Sequence, residues 1–345
     1  MATWSVGRSP RLFFVLALVA ASAAARAQHE GPAARYQVAS SHRLPIGGAV
    51  LQVDFAVGPL DLPIDTVLAH IRAAASAVAG YYGKFPVPSA RILIVPTAGR
   101  SGILQGTTWG NMGGNPAFTR IRLGQHTTAA DLADDWMTTH EMVHMGFPSM
   151  PDDQHWMEEG QATYIEPIAR AATGELDARK VWGDMVRDMS KGEPQPGDLG
   201  LDHTHTWGRT YWGGALFCLV ADVSIRRETN NRKSLQDALR AVVAHDGTID
   251  YDWPLDKALA VGDRATGTHV LTRMYAEWKD KAVPVDLPRL WDQLGIRSSA
   301  EGIEFVPTAP FAAIRAAITA HRAANPVAHA RGSHTVSTQK AANPV

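Results

Sequence analysis

The chain has 345 residues with 33 Lys plus Arg against 34 Asp plus Glu, a net charge of -1, so it has no basic surplus for nucleic acid or an anionic membrane surface. A single cysteine, Cys218, inside the apolar run 215–220, excludes a disulfide scaffold and reads as core packing. With 45% hydrophobic content and 10 Trp, the chain can build a core without such bridges, as one large or two modest domains.

Residues 1–27 read as a secretory signal peptide. Arg8 and Arg11 form a positive start, Leu12 to Ala20 an apolar stretch too short to span a bilayer, and Ala25-Arg26-Ala27 a cleavage site. The expectation is an exported protein, periplasmic or secreted, with no membrane attachment once the signal is removed. Residues 28–170 then form a sheet-containing subdomain and 171–321 a mainly helical one.

Residues 35–57 are strand-like, with Leu51, Val53 and Phe55 alternating with Gln52 and Asp54. Ile64, Val67, Ile71, Ala75 and Val78 keep helical spacing up to a stop at Gly80. Residues 91–95 form a short apolar run between prolines, suited to a central strand. Residues 99–115 read as a glycine-rich loop, and 117–123 as a strand that could pair with an extended peptide at a cleft edge.

Next comes the segment Thr139-His140-Glu141-Met142-Val143-His144. Two histidines four residues apart on a helix share a face, so both imidazoles reach one cation. Glu141, about 100° round the helix from His140, stands beside the metal, where a carboxylate can take a proton from an attacking water. Thr128 and Asp131 predict a capping box, Gly146 a stop, and Leu132, Trp136, Thr139 and Val143 a buried stripe. Asp134 and Asp135 read as surface or capping charges.

A catalytic zinc takes three protein ligands and leaves one position open. After the turn at 148–153, a second helix from about Gln154 offers Glu159 as the third ligand, with Trp156 and Thr163 on the same face; Glu158 and His155 are rivals. A metzincin pattern fails, because Phe147 and Met150 stand where its Gly and His are required. Further helices are predicted over 180–190, 211–227, 234–245, 271–281 and 310–321. His203 and His205 lie in a polar loop and read as solvated. Residues 322–345, rich in Ala, Asn, Pro and His, read as a disordered tail.

His140-Glu-Met-Val-His144 followed by Trp156-x-x-Glu159-Gly160-x-Ala162 resembles the gluzincin metallopeptidases, in particular the glycyl aminopeptidase family and the related leucyl and alanyl aminopeptidases. Tyr211-Trp-Gly-Gly-Ala-Leu216 is similar to that family's Tyr-x-Lys-Gly-Ala-Leu segment, and Tyr81-Tyr-Gly-Lys-Phe-Pro86 to the stretch before its first catalytic-domain strand. The resemblance implies an α+β, thermolysin-like catalytic domain, with a small mixed sheet and a metal-binding helix, followed by a helical lobe. It implies one zinc per chain on His140, His144 and Glu159, Glu141 as general base, Tyr211 as transition-state donor, and a peptide substrate. The chain departs from the family in a shorter spacing between His144 and Glu159, and in Gly213 where the family has Lys. It also has the segment 110–115, without a carboxylate, at the expected place of the amine-gripping Glu. A zinc hydrolase of a non-peptide amide or ester, and a non-catalytic binding protein of the same fold, are the alternatives.

Overall fold

The computed structural model describes residues 36–110, 117–299 and 302–321. The signal-peptide expectation at 1–27, most of the segment 110–115 and the tail from 322 lie outside them.

Strands β1 (Val38–Ile46) and β2 (Ala49–Ala56) form an antiparallel hairpin, and helix α1 (Ile64–Tyr82) returns the chain so that β3 (Ser89–Thr97) runs parallel to β2. Strand β5 (Ala117–Gly124) is parallel to β3, and β4 (Ile103–Trp109) closes the edge antiparallel to β5, giving the order β1-β2-β3-β5-β4. One face of the sheet buries Leu51, Val53, Phe55, Ile92, Ile94 and Ile121 beneath Val67, Ile71 and Val78 of α1. The helical period and the strand alternation in the sequence therefore meet in one core.

Two expectations are corrected here. The stretch 99–115, read as a loop, contains β4, and this strand rather than β5 forms the sheet edge. The single helix expected across 128–146 is two. The predicted capping box is present, with Asp131 N donating to Thr128 Oγ1 (3.1 Å) and Thr128 N to Asp131 Oδ2 (2.8 Å), but α2 (Ala129–Ala133) ends after one turn. Asp135 then caps a new helix, α3 (Met137–Val143), accepting hydrogen bonds from Met137 N (2.8 Å) and Thr138 N (3.2 Å). The break changes the helical phase, so Trp136, expected in the buried stripe, is 49% exposed.

A 3-10 turn (His144–Gly146) ends α3, and the chain returns as α4 (His155–Thr173). Beyond it lie α5 (Ala178–Asp188), a π-helical turn (Gly208–Gly213) leading into α6 (Gly214–Glu228), α7 (Leu235–Ala244), α8 (Leu255–Thr266), α9 (Val270–Trp278), α10 (Leu287–Leu294), a β6–β7 hairpin (Ile296–Ser299, Gly302–Phe305) and α11 (Ala312–Ile318). Helices α4 and α6 cross at Gly160 and Gly214, where a Cβ on either glycine would overlap the other helix's backbone. The start of α4 is fixed by Trp156 Nε1 donating to Asp202 (2.7 Å), whose other oxygen accepts from Tyr275 (2.8 Å). Among the described residues, no helix is long and apolar enough to cross a membrane.

Candidate active site

Helix α3 carries His140 and Glu141, the 3-10 turn that ends it begins with His144, and α4 lies against them with Glu159 facing the two imidazoles. Glu159 Oε2 is 3.0 Å from His140 Nε2 and 3.6 Å from His144 Nε2, and one ligand atom from each residue lies within 4.8 Å of the others. Ligand atoms around a tetrahedral zinc with bonds of ~2.0–2.2 Å stand ~3.4 Å apart, so the three donors fit one ion. Their protonation fits too. Burial lowers the His144 pKa to about 4, keeping the imidazole neutral as a ligand must be. Burial alone would raise the Glu159 carboxyl, but hydrogen bonds from His140 and His155 outweigh it and hold the group well below the usual carboxylate range.

The rival ligands take other places. Glu158 accepts from Met150 N (3.2 Å) and lies 2.9 Å from His155 Nδ1. His155 Nε2 lies 3.2 Å from Glu159 Oε1, the carboxylate oxygen that does not reach His140, and so braces the acid from outside the triad. Both of its ring nitrogens face carboxylates, which raises its pKa to about 10. His203 pairs with Asp280 at 2.9 Å in an exposed position, and His205 is exposed, in keeping with their reading as solvated.

Glu141, beside the triad and outside it, is held against the sheet edge. Thr108 of β4 donates its hydroxyl to Glu141 Oε2 (2.8 Å), and the Thr119 hydroxyl lies 2.9 Å behind that of Thr108. Gly106, two residues earlier on β4, approaches so closely that a Cβ there would lie 2.7 Å from Glu141 Oε1. A side chain at 106 would displace the carboxylate, which is a steric reason for the glycine. Burial raises the Glu141 pKa to about 7, against the opposing effects of His140 and the Thr108 hydrogen bond. A buried carboxylate in such a place is a base strong enough to hold a proton and weak enough to release it. No motif in the sequence points to Thr108, whose only local signal is the β-prone pair Thr107-Thr108 ahead of Trp109.

Tyr211 lies on the π-helical turn, a distortion common at functional sites. Its ring stacks on His140 (centroids 6.2 Å apart, 19° between planes), and its phenol lies in the field of the Glu159 carboxylate. Burial and the neighbouring carboxylate push the phenol above its usual range, so it remains a proton donor. All five residues expected from the sequence are therefore in one place. Edge strand β4, Ile-Leu-Gln-Gly-Thr-Thr-Trp, carries no carboxylate.

No family model matches the chain, and no curated protein matches its sequence. Its architecture has solved counterparts. An aminopeptidase N family protein from Idiomarina loihiensis superposes with a TM-score of 0.56 at 13% identity, over 74% of this chain and 49% of that one. The chain has an aminopeptidase N fold. An M1 zinc metallopeptidase from Deinococcus radiodurans gives a TM-score of 0.45 at 15% identity over 74% of this chain and 53% of its own. A mutant of an M1 zinc metallopeptidase from the same organism, bound to Tyr-Ser-Ala, gives 0.47 at 15% identity, over 72% and 53%. The chain spans about half the length of these proteins. Within the aminopeptidase N fold, the sheet and α3 come first and the helical lobe follows, the order expected from the sequence.

Proposed function

We propose that the protein is a zinc-dependent peptidase. The observation that carries this reading is the convergence of His140, His144 and Glu159 on one point with a buried carboxylate, Glu141, beside it and outside the ligand set. A purely structural metal site has no use for that fourth group. When bound, zinc supplies Lewis acidity and lowers the pKa of water toward ~7.

The chain's own groups do the rest. Glu141, oriented by Thr108, takes the proton of the attacking water and passes it to the departing amide nitrogen. Tyr211, kept protonated, donates a hydrogen bond to the oxyanion that forms on the carbonyl. Strand β4, at the sheet edge and in contact with Glu141, offers free backbone groups to an extended substrate. The substrate is thus a peptide, and the absence of a carboxylate from β4 supports cleavage that does not depend on gripping a free amino terminus. The arginine-bearing start and apolar stretch before Ala27 support export to the periplasm or beyond.

Elemental analysis should find about one zinc per chain. Glu141→Gln should keep that zinc and abolish hydrolysis of free-amine and N-blocked peptides alike. Unchanged turnover in that variant would reject the reading.

A further inference from the structure

Beside the metal triad, on a flank that β4 does not occupy, lies a cavity of ≈ 550 Å³. His140 and Tyr211 form part of its wall, so it opens directly onto the reacting centre. Its volume is within the range of ~300–1,000 Å³ typical of ligand pockets. A methyl or hydroxymethyl group would leave most of it empty.

The walls are aromatic where the cavity meets the triad. Trp136 sits edge-on to His140 at 5.3 Å between centroids, and Trp207 stacks on Tyr211 at 5.8 Å. Trp212 also lines the cavity, with Lys191 above its ring and that of Trp207. Trp136 and Trp207 are 49% and 61% exposed, among the most exposed large apolar side chains of the described residues. Two indoles held open by contacts with a metal ligand and the oxyanion donor mark a surface that gains by being covered.

The other charges lining the cavity are already paired, Glu166 and Arg170 in its buried wall and Lys180, Asp184 and Arg187 along its exposed edge. Glu166 and Arg170 meet at 2.9 Å, and Arg187 lies 2.6 Å from Asp184 and 2.5 Å from Asp188, while Lys180 takes the other oxygen of Asp184. Asp134, at the rim, is solvent-exposed. Apart from Asp134 at the rim, the lining charges are therefore neutralised by one another, and the surface left open beside the triad is the aromatic wall. Resting on the peptidase reading, we propose that this cavity receives a large aromatic side chain, Phe, Tyr or Trp, on a residue flanking the scissile amide.

The test separates binding from turnover. Zinc-loaded Glu141→Gln protein is titrated with Ala-Phe-Ala, Ala-Trp-Ala and Ala-Ala-Ala, following intrinsic tryptophan fluorescence and, independently, calorimetry. The aromatic peptides should bind at least tenfold more tightly. Trp207→Ala, which removes an exposed wall, and Ala133→Trp, which fills the exposed rim, should each reduce that ratio at least threefold, and circular dichroism checks that both variants fold. Equal affinities for the three peptides would overturn the pocket. Wild-type protein that cuts alanine and aromatic peptides with equal kcat/KM would also overturn it, leaving the peptidase reading intact. Preferential aromatic binding without cleavage of any peptide would instead sustain the pocket and overturn the peptidase reading.

Discussion

Individual side chains at this site act through their neighbours. His155 touches no other member of the triad than Glu159, yet by holding Oε1 it leaves Oε2 as the oxygen facing the imidazoles. Partners of this kind contribute ~10–100-fold to metal affinity. His155→Leu should therefore raise the zinc dissociation constant by about that factor, measured by competition with a chelator. An unchanged constant would mean that the carboxylate is oriented by packing alone. Tyr211 makes a different case, because in the proposed mechanism it donates only during the reaction. Tyr211→Phe should lower kcat by about tenfold to a thousandfold with the zinc content unchanged. A variant that keeps full kcat would reduce Tyr211 to a wall of the cavity.

At the level of strands and helices, Asp54 binds three strands together. Buried at 1% exposure, it accepts from Ser41 on β1 (2.6 Å), Gln52 on β2 (3.1 Å) and Arg91 on β3 (2.5 Å). Burial would raise its pKa, but these hydrogen bonds outweigh it and hold the group below 3.8. A carboxyl depressed in this way stabilises the fold fully above its unfolded value, and the contribution is lost as pH falls through the lower folded value. Asp54→Asn should cost about 2 kcal/mol at pH 7 in urea unfolding. The gap to wild type should narrow by pH 3, and a gap independent of pH would show that charge plays no part.

The elements also show what the sequence could reveal. The zinc motif, α1, β3 and the capping box at Thr128 are legible because they depend on neighbours a few residues away. The break before α3 is set by Asp135, which caps the new helix and also reaches His70 on α1 at 2.9 Å, a contact across 65 positions. Without that contact a continuous helix is the natural reading, and it places Trp136 in the core instead of at the cavity. Strand β4 escaped because six of its seven residues are half-buried and one is exposed, so it lacks the apolar alternation that marks a strand with one dry face. Helix α10 is only eight residues long, and α8 opens after Pro254 with no side-chain cap to mark its start. His140, Glu141, His144 and Glu159 were readable from spacing. The Thr108 contact and the aromatic cavity were not, since each joins segments far apart in the chain.

Across the whole molecule, one hydrophobic cluster runs from Leu44 in the hairpin to Ile318 in the last helix, through both the sheet and the helical lobe. Heat should therefore melt the two together. The proposed zinc would join only α3, the turn that follows it and α4, which already pack against each other, so its removal should weaken the fold without dissolving it. Zinc at a hundredfold excess over its dissociation constant contributes ~2.7 kcal/mol. Chelation should lower Tm by about 5 °C and leave the far-ultraviolet dichroism at 25 °C unchanged. Loss of helical signal on chelation would show instead that the ion is needed for folding.

The bare crossing of α4 on α6 bears on how a substrate enters. Gly160 follows the ligand Glu159 directly, and Gly214 lies three residues after Tyr211. Ligand and phenol therefore hang from two rods pressed main chain to main chain, with no interposed side chain whose rotation could let them slide. On the peptidase reading, breathing that admits a peptide should come from the strand edge or from the α5 side, and this joint should hold the acid and the phenol at a constant separation.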